Sequence, residues 1–420
     1  MAIVPRIMLP HGAALYVDPL PKDVNPACIK LVVMAGSADD ASCAHGAHHW
    51  FEHVPFRGTE AFPKGASQIK GPFARYAGHV GASTGNTTTS FYARVPKSMW
   101  QDALEVVIDL AARPLLRPDD VEAERLIIKE EIKQRDSSPG AHIYDRLGEI
   151  LWPGHPYAHS ILGTEEMLTI ADPHLITATH AMSYSPERCS VFVSGDITLD
   201  SIVKCSSALI QRMRPRNLGE RRMPARYGTL PLWQAGMHTD IETSFDTSVV
   251  LFLFPYKRYE PSLVHAPVGP LVRGIFSSGG MVSPLYRIVR EERRLVYSTH
   301  FYWVSFPDGG YWGFEAKCGA ANIPGVLEAF KDVLMDPEIR SKERFGFVRD
   351  VFWGHQQMNT LDPYDRASTM LSTLRAYGHV LTEDEMMARS IDVAHEEVLS
   401  TLDEFTAEKA HTIIFRGKKQ

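Results

Sequence analysis

Gly46-Ala47-His48-His49-Trp50-Phe51-Glu52-His53 contains the pattern H-x-x-E-H at His49, Glu52 and His53. At about 100° per residue on a helix, these three side chains share one face roughly 100° wide, with Ala47, Trp50, Phe51 and Val54 opposite. The segment is therefore expected to be a helix buried through its apolar side, with its chemistry on the other. Two imidazoles at i and i+4 can both reach one ion at about 2.0–2.1 Å, and zinc is the ion that tetrahedral nitrogen/oxygen sites usually hold. His45 and His48 blur the register. His45 and His49 make a second i, i+4 pair, and His48 sits at the edge of the same face. In a chain with 18 histidines the short pattern can also arise by chance, so a third ligand has to be found elsewhere.

An open catalytic zinc needs three protein ligands and a water. The run Val121-Glu122-Ala123-Glu124-Arg125-Leu126-Ile127-Ile128-Lys129-Glu130-Glu131-Ile132 reads as a helix with Val121, Ile128 and Ile132 on a core-facing stripe. Glu124 and Glu131 flank that stripe two turns apart, whereas Glu122 and Glu130 point away and read as solvated charges. Carboxylates bordering an apolar stripe are costly unless something pairs with them, and a metal ion or a ligand imidazole would do so.

Outward from these segments the chain is ordinary. Its 420 residues correspond to two or three domains at about 150 residues each. A net charge of −6, with 22% charged and 44% hydrophobic residues, suits a globular protein and excludes phosphate-backbone binding as the main task. No stretch approaches the roughly 18 apolar residues of a membrane span. The N-terminus has two prolines, an early arginine and no apolar core, so no secretory signal is expected. Five cysteines without a C-x-x-C pair read as free thiols in a reducing compartment, and a cytoplasmic location is expected.

Alternating strand-like and helix-like stretches fall into two similar halves. Strands are expected over 12–18, 28–35 and 188–194, and helices over 98–112 and 118–135. Arg212 to Tyr227, with six arginines and two prolines, reads as an exposed linker. This divides the chain into domains 1–211 and 228–420. In the second half, strands are expected at 248–254, 296–304 and 310–317. Helical stretches are expected at 262–276, 283–293, 322–335 and 383–411.

The sequence resembles the pitrilysin/insulysin-type inverted zincins, and its length and layout look most like the shorter members related to mitochondrial processing peptidase. The resemblance spans nearly the whole chain. It rests on Gly46-x-x-His49-x-x-Glu52-His53-x-x-Phe56-Arg57-Gly58-Thr59 and on Glu124 with Glu131, which lies 78 residues beyond His53. His155-Pro156-Tyr157, Ile161-Leu162-Gly163-Thr164-Glu165, and Tyr184-Ser185-Pro186 with Gly195-Asp196 extend it. So does Gly279-Gly280-Met281-Val282-Ser283-Pro284-Leu285, followed by Arg290 and Tyr297. Two departures stand out. Gly81 replaces an asparagine usual in the strand that reads Gly81-Ala82-Ser83-Thr84 here, where such proteins pair with peptide. Pro55 follows the ligand motif directly and should end or kink the helix.

The resemblance implies an α+β fold of two similar domains, each a mostly antiparallel sheet packed with helices, forming half of a four-domain clamshell. It implies one Zn²⁺ per chain on His49, His53 and Glu131, with Glu52 as general base and Glu124 holding a ligand imidazole. Arg290 and Tyr297 would donate to the substrate carbonyl. The function implied is a zinc endopeptidase that cleaves unfolded or leader peptides inside a dimeric chamber, as a homodimer or paired with a related subunit. The competing reading is a non-catalytic structural or peptide-presenting subunit.

Overall fold

The computed structural model of the chain describes residues 3–22, 24–216, 227, 228, 230, 235–256, 268–359 and 362–418. The chain divides into two compact units, Met1–Arg226 with Thr360–Glu383, and Tyr227–Asn359 with Asp384–Gln420.

The first unit is built on a six-stranded sheet. Its strands are β1 (Ile7–Met8), β2 (Ala14–Pro19), β3 (Pro26–Val33), β4 (His79–Thr84), β5 (Thr89–Pro96) and β6 (Cys189–Gly195), in spatial order β1-β2-β6-β3-β5-β4. Only β2 and β6 pair in parallel; every other neighbour is antiparallel. The central strand β3 is apolar on both faces because both are covered. Ile29, Leu31 and Val33 join the core formed with α1 (Ala47–His53), α2 (Trp100–Ala112) and α3 (Pro118–Ser137). Cys28 and Val32 face the opposite way, toward Ala367, Met370 and Leu374 of a later helix. β4 is the last strand and leaves one edge of the sheet without a strand partner among the described residues.

The second unit repeats this plan. Its strands are β7 (His238–Glu242), β8 (Ser248–Tyr256), β9 (Ser298–Phe306), β10 (Gly309–Cys318) and β11 (His411–Arg416), in order β9-β10-β8-β11-β7. Again one pair, β11 with β7, is parallel, in the position that β6 and β2 occupy in the first sheet. Helices α4 (Val268–Ser277) and α5 (Ile323–Met335) cover one face. The core there is aromatic, with Phe276 stacked on Phe301 and edge-on to Phe314. The expected α+β class with two similar, mostly antiparallel domains is observed.

Several expectations need correction. The stretch 360–383, placed in the second half by the linear reading, belongs to the first unit. Its helix α6 (Pro363–Tyr377) packs on the sheet face opposite α1, and Val380–Leu381 pairs with Ile3–Val4. A buried ion pair, Arg366 Nε to Asp18 Oδ2 at 2.6 Å and Nη2 to Oδ1 at 3.0 Å, fixes this helix to β2. Lys30, on β3, donates to Ser368 Oγ at 2.9 Å and sits 4.6 Å over the Tyr364 ring. The helical stretch 383–411 resolves into Glu383–Ile391 and His395–Leu402, after which the chain turns into strand β11. The 283–293 helix is a short turn, Pro284–Tyr286, continued as a π-helix over Arg287–Glu292. The 262–276 expectation lies partly outside the described residues, and the helix there spans Val268–Ser277.

The start of the expected linker is not free. Met213 is buried, Arg212 pairs with Glu105 at 2.8 Å, and the Arg216 amide donates to Ser185 Oγ. Residues 217–226 of that linker lie outside the described residues.

Candidate metal centre

Helix α1 spans Ala47–His53, as the apolar face of the motif requires, and it begins where Asp40 allows. The Asp40 carboxylate accepts from the amides of Gly46 at 2.8 Å and His48 at 3.1 Å, two donors that a helix start leaves without intrahelical partners. Gly46 enters the helix at φ 93°, a conformation that suits glycine. Trp50 and Phe51 are fully buried, and Trp50 Nε1 donates to the Val121 carbonyl of α3. That contact ties the histidine helix to the carboxylate helix.

The two helices bring His49, His53 and Glu131 together, with one donor atom of each within 4.8 Å of the others. Glu131 Oε2 lies 3.8 Å from His49 Nε2 and 3.7 Å from His53 Nε2. Tetrahedral ligands about 2.0–2.1 Å from a zinc ion stand roughly 3.3–3.4 Å apart, and the two separations of Glu131 from the imidazoles are within a few tenths of an ångström of that. Burial beside His53 pushes the His49 imidazole down to about 3, which keeps it neutral and able to ligate. Burial alone would lower His53 too. The hydrogen bond to Glu124 and the charges of Glu131 and Glu52 outweigh it, and the net shift is upward.

Glu124 does not join the donor set. Its Oε2 accepts from His53 Nδ1 at 3.1 Å, which presents Nε2 toward Glu131. Its Oε1 accepts from Arg57 Nε at 2.5 Å. Burial raises the Glu124 carboxyl, but the two hydrogen bonds prevail and hold it below its ordinary value. Carboxylates that fix ligand imidazoles in this way are a regular part of metal sites. Pro55 now has a structural account. The α-helix ends at His53, and the 3-10 turn Val54–Arg57 carries Arg57 onto Glu124.

Glu52 is 8% exposed and accepts from Thr84 Oγ1 at 2.7 Å. Burial raises its carboxyl above the ordinary range, against the lowering effect of that hydrogen bond. The four residues Gly81, Ala82, Ser83 and Thr84 all lie on the edge strand β4. At Gly81 a Cβ would stand 2.8 Å from Tyr92 Oη and 2.9 Å from His79 Nε2. A side chain at this position would require the ends of Tyr92 and His79 to move aside.

The remaining histidines separate cleanly. His48 points into the core, its Nδ1 donating to Asp40 at 2.5 Å and its Nε2 lying 2.9 Å from Ser183 Oγ. It anchors α1 and is not one of the converging donors among the described residues. His45 precedes the helix and stacks on His159 with ring centroids 3.5 Å apart. The sequence reading missed Asp40, Arg57 and Ser183 as supports of the site; only the acid a few residues ahead of the helix was a usable signal for any of them. Glu122 and Glu130 pair with Arg125 and Lys133 on α3, in keeping with their reading as solvated charges.

Arg290 and Tyr297 belong to the second unit. Arg290 lies 4.8 Å over the Tyr286 ring on the π-helix, and Tyr297 is 67% exposed, held by its amide on the Lys317 carbonyl.

The fold and the donor set together define a two-domain α+β protein with a candidate metal centre at an H-x-x-E-H helix. Residues 22–165 match Insulinase (Peptidase family M16), and residues 175–336 match the Peptidase M16 inactive domain. The chain belongs to peptidase family M16. It is 24% identical to an uncharacterized zinc protease of Streptomyces coelicolor over 409 residues, covering 94% of this chain and 85% of that one. An uncharacterized zinc protease of Bacillus subtilis is 25% identical over 334 residues, covering 79% of this chain and 78% of that one. A protease from Helicobacter pylori superposes with TM-score 0.86 at 17% identity, over 99% of this chain and all of that one. Pitrilysin superposes with TM-score 0.73 at 19% identity, over 99% of this chain but 45% of its own. No helix among the described residues is long and apolar enough to cross a membrane.

Proposed function

We propose that the chain is a zinc-dependent endopeptidase acting on unfolded or leader peptides, with one Zn²⁺ held by His49, His53 and Glu131. The observation that carries this reading is the convergence of three donor atoms within 4.8 Å beside a buried carboxylate that is not one of them. Zinc bound by such a set lowers the pKa of a water toward neutral and polarises a carbonyl.

The chain's own residues do the rest. Glu52 accepts the water proton and passes it to the leaving amine, a task suited to a carboxyl raised by burial. Glu124 holds the tautomer of His53, and Arg57 holds Glu124. The open edge of β4 offers backbone donors and acceptors to an extended peptide, and this pairing does not require a side chain at position 81. Arg290 and Tyr297 would donate to the substrate carbonyl. The working form in this reading is a dimer of like or related chains. Five free cysteines support a cytoplasmic location. A non-catalytic, structural or peptide-presenting subunit is disfavoured, because such a role has no use for Glu52 held beside a complete donor set.

A fluorogenic peptide should be cleaved by the purified protein, cleavage should stop on chelation, and zinc should restore it where magnesium does not. Cleavage that persists after the metal is removed would contradict the reading.

A further inference from the structure

The general base has a neighbour whose position the fold fixes with unusual care. Thr84 closes β4, opposite Thr89 at the start of β5. Thr89 Oγ1 donates to the buried Ala35 carbonyl at 3.0 Å. The hairpin tip beyond Thr84 is clamped, because the Ser37 amide donates to the Gly85 carbonyl at 3.1 Å and the Ala38 amide to the Asn86 carbonyl at 2.8 Å. Gly36 permits that approach; a Cβ there would lie 2.3 Å from the Gly85 oxygen. Ser83 Oγ meets Ser90 Oγ at 2.8 Å and steadies the hairpin beside it. The Thr84 hydroxyl is thus delivered to Glu52 Oε2, at 2.7 Å, by a backbone frame held on three sides.

We propose that Thr84 is the positioning residue of Glu52, its hydroxyl fixing the carboxylate that takes the water proton and so linking the general base to the edge strand that would receive the peptide. This rests on the peptidase reading above. A hydroxyl has one proton to give, and here it goes to Oε2, which leaves the lone pairs of Oε1 for the water. The same strand would carry the peptide backbone along its outer edge, so the base and the scissile bond would be referenced to one rigid element. Preorganisation of this kind acts on the chemical step and not on substrate affinity.

Thr84→Val removes the hydroxyl and keeps the shape, whereas Thr84→Ser keeps the hydroxyl. Thr84→Val should lower kcat by about 10–100-fold with KM within about twofold, and Thr84→Ser should stay within about threefold of the parent. On the inert Glu52→Gln background, adding Thr84→Val should leave peptide Kd, read by fluorescence anisotropy, unchanged. A crystal structure of Thr84→Val should show the Glu52 carboxylate displaced. A loss confined to KM, a weakened Kd, a serine variant as poor as the valine one, or an unmoved Glu52 would each overturn the proposal. If Thr84→Val does not fold, Thr84→Ala against Thr84→Ser carries the same comparison. Absence of zinc-dependent cleavage in the parent protein would sink the peptidase reading instead, and the position of Glu52 in the variant crystal would still decide the role of Thr84.

Discussion

Glu52→Gln should abolish peptide cleavage while leaving the metal in place. General acid–base groups contribute about 10²–10⁴-fold to rate, so activity should fall by at least that range. The amide is isosteric and can still accept from the Thr84 hydroxyl, so the fold around α1 should survive. It cannot take a proton from water at neutral pH. Glu52 is also not one of the converging donor atoms, so zinc content should match the parent protein. Kinetics on a fluorogenic peptide, with metal analysis of the same sample, checks both halves of this expectation. Retained activity would mean the base is another group. Lost zinc would mean that Glu52 sits in the ligand set after all.

The second large effect is on stability. Arg366→Ala should destabilise the first unit by about 3–5 kcal/mol, because it leaves the Asp18 carboxylate buried on β2 without its charge partner. Asp18 is 3% exposed and Arg366 6% exposed, so water offers little relief. Replacing both residues with leucine should recover most of the loss, since an apolar pair of similar volume is often neutral or better in such a place. Urea unfolding, with hydrogen exchange of the β3 and β6 amides as the local probe, reports on this unit separately from the other. A change below about 1 kcal/mol would mean that α6 is held by its apolar side alone.

This ion pair also shows where a linear reading stops. Helix α6 carries Ala367, Met370 and Leu374 inward among Arg366, Ser368 and Thr369, and nothing in that pattern reveals that its partners are β2 and β3 near the other end of the chain. The arginine-rich stretch stood out by composition, whereas nothing in the linear pattern marked the return of 360–383 to the first unit. The last strand was hidden for a different reason. His411–Arg416 is short and follows two helices, and the helical reading of 383–411 ran past Leu402 to its first residue and left the strand unread.

The convergence of the candidate donors was far more legible. A helix period alone put His49, Glu52 and His53 on one face, and a stripe of Val121, Ile128 and Ile132 singled out Glu124 and Glu131. Their separate roles, one a candidate ligand and one bonded to His53 and Arg57, were implied only by resemblance and depend on a crossing of two helices that periodicity cannot supply. The supports of the site were out of reach for the same reason. Asp40 and Ser183 meet on either side of His48, far apart in sequence, and Thr84 reaches Glu52 only because a hairpin tip is clamped to residues 37 and 38. His48 shows the converse: adjacent to the candidate ligand His49 in sequence, it faces the core.

Metal analysis of the purified protein is the most direct test of the metal-centre assignment. One zinc per chain is expected, retained in Glu52→Gln and lost in His53→Ala and Glu131→Gln. A protein that purifies without stoichiometric zinc and does not take it up, or a His53→Ala variant that keeps it, would contradict the assignment.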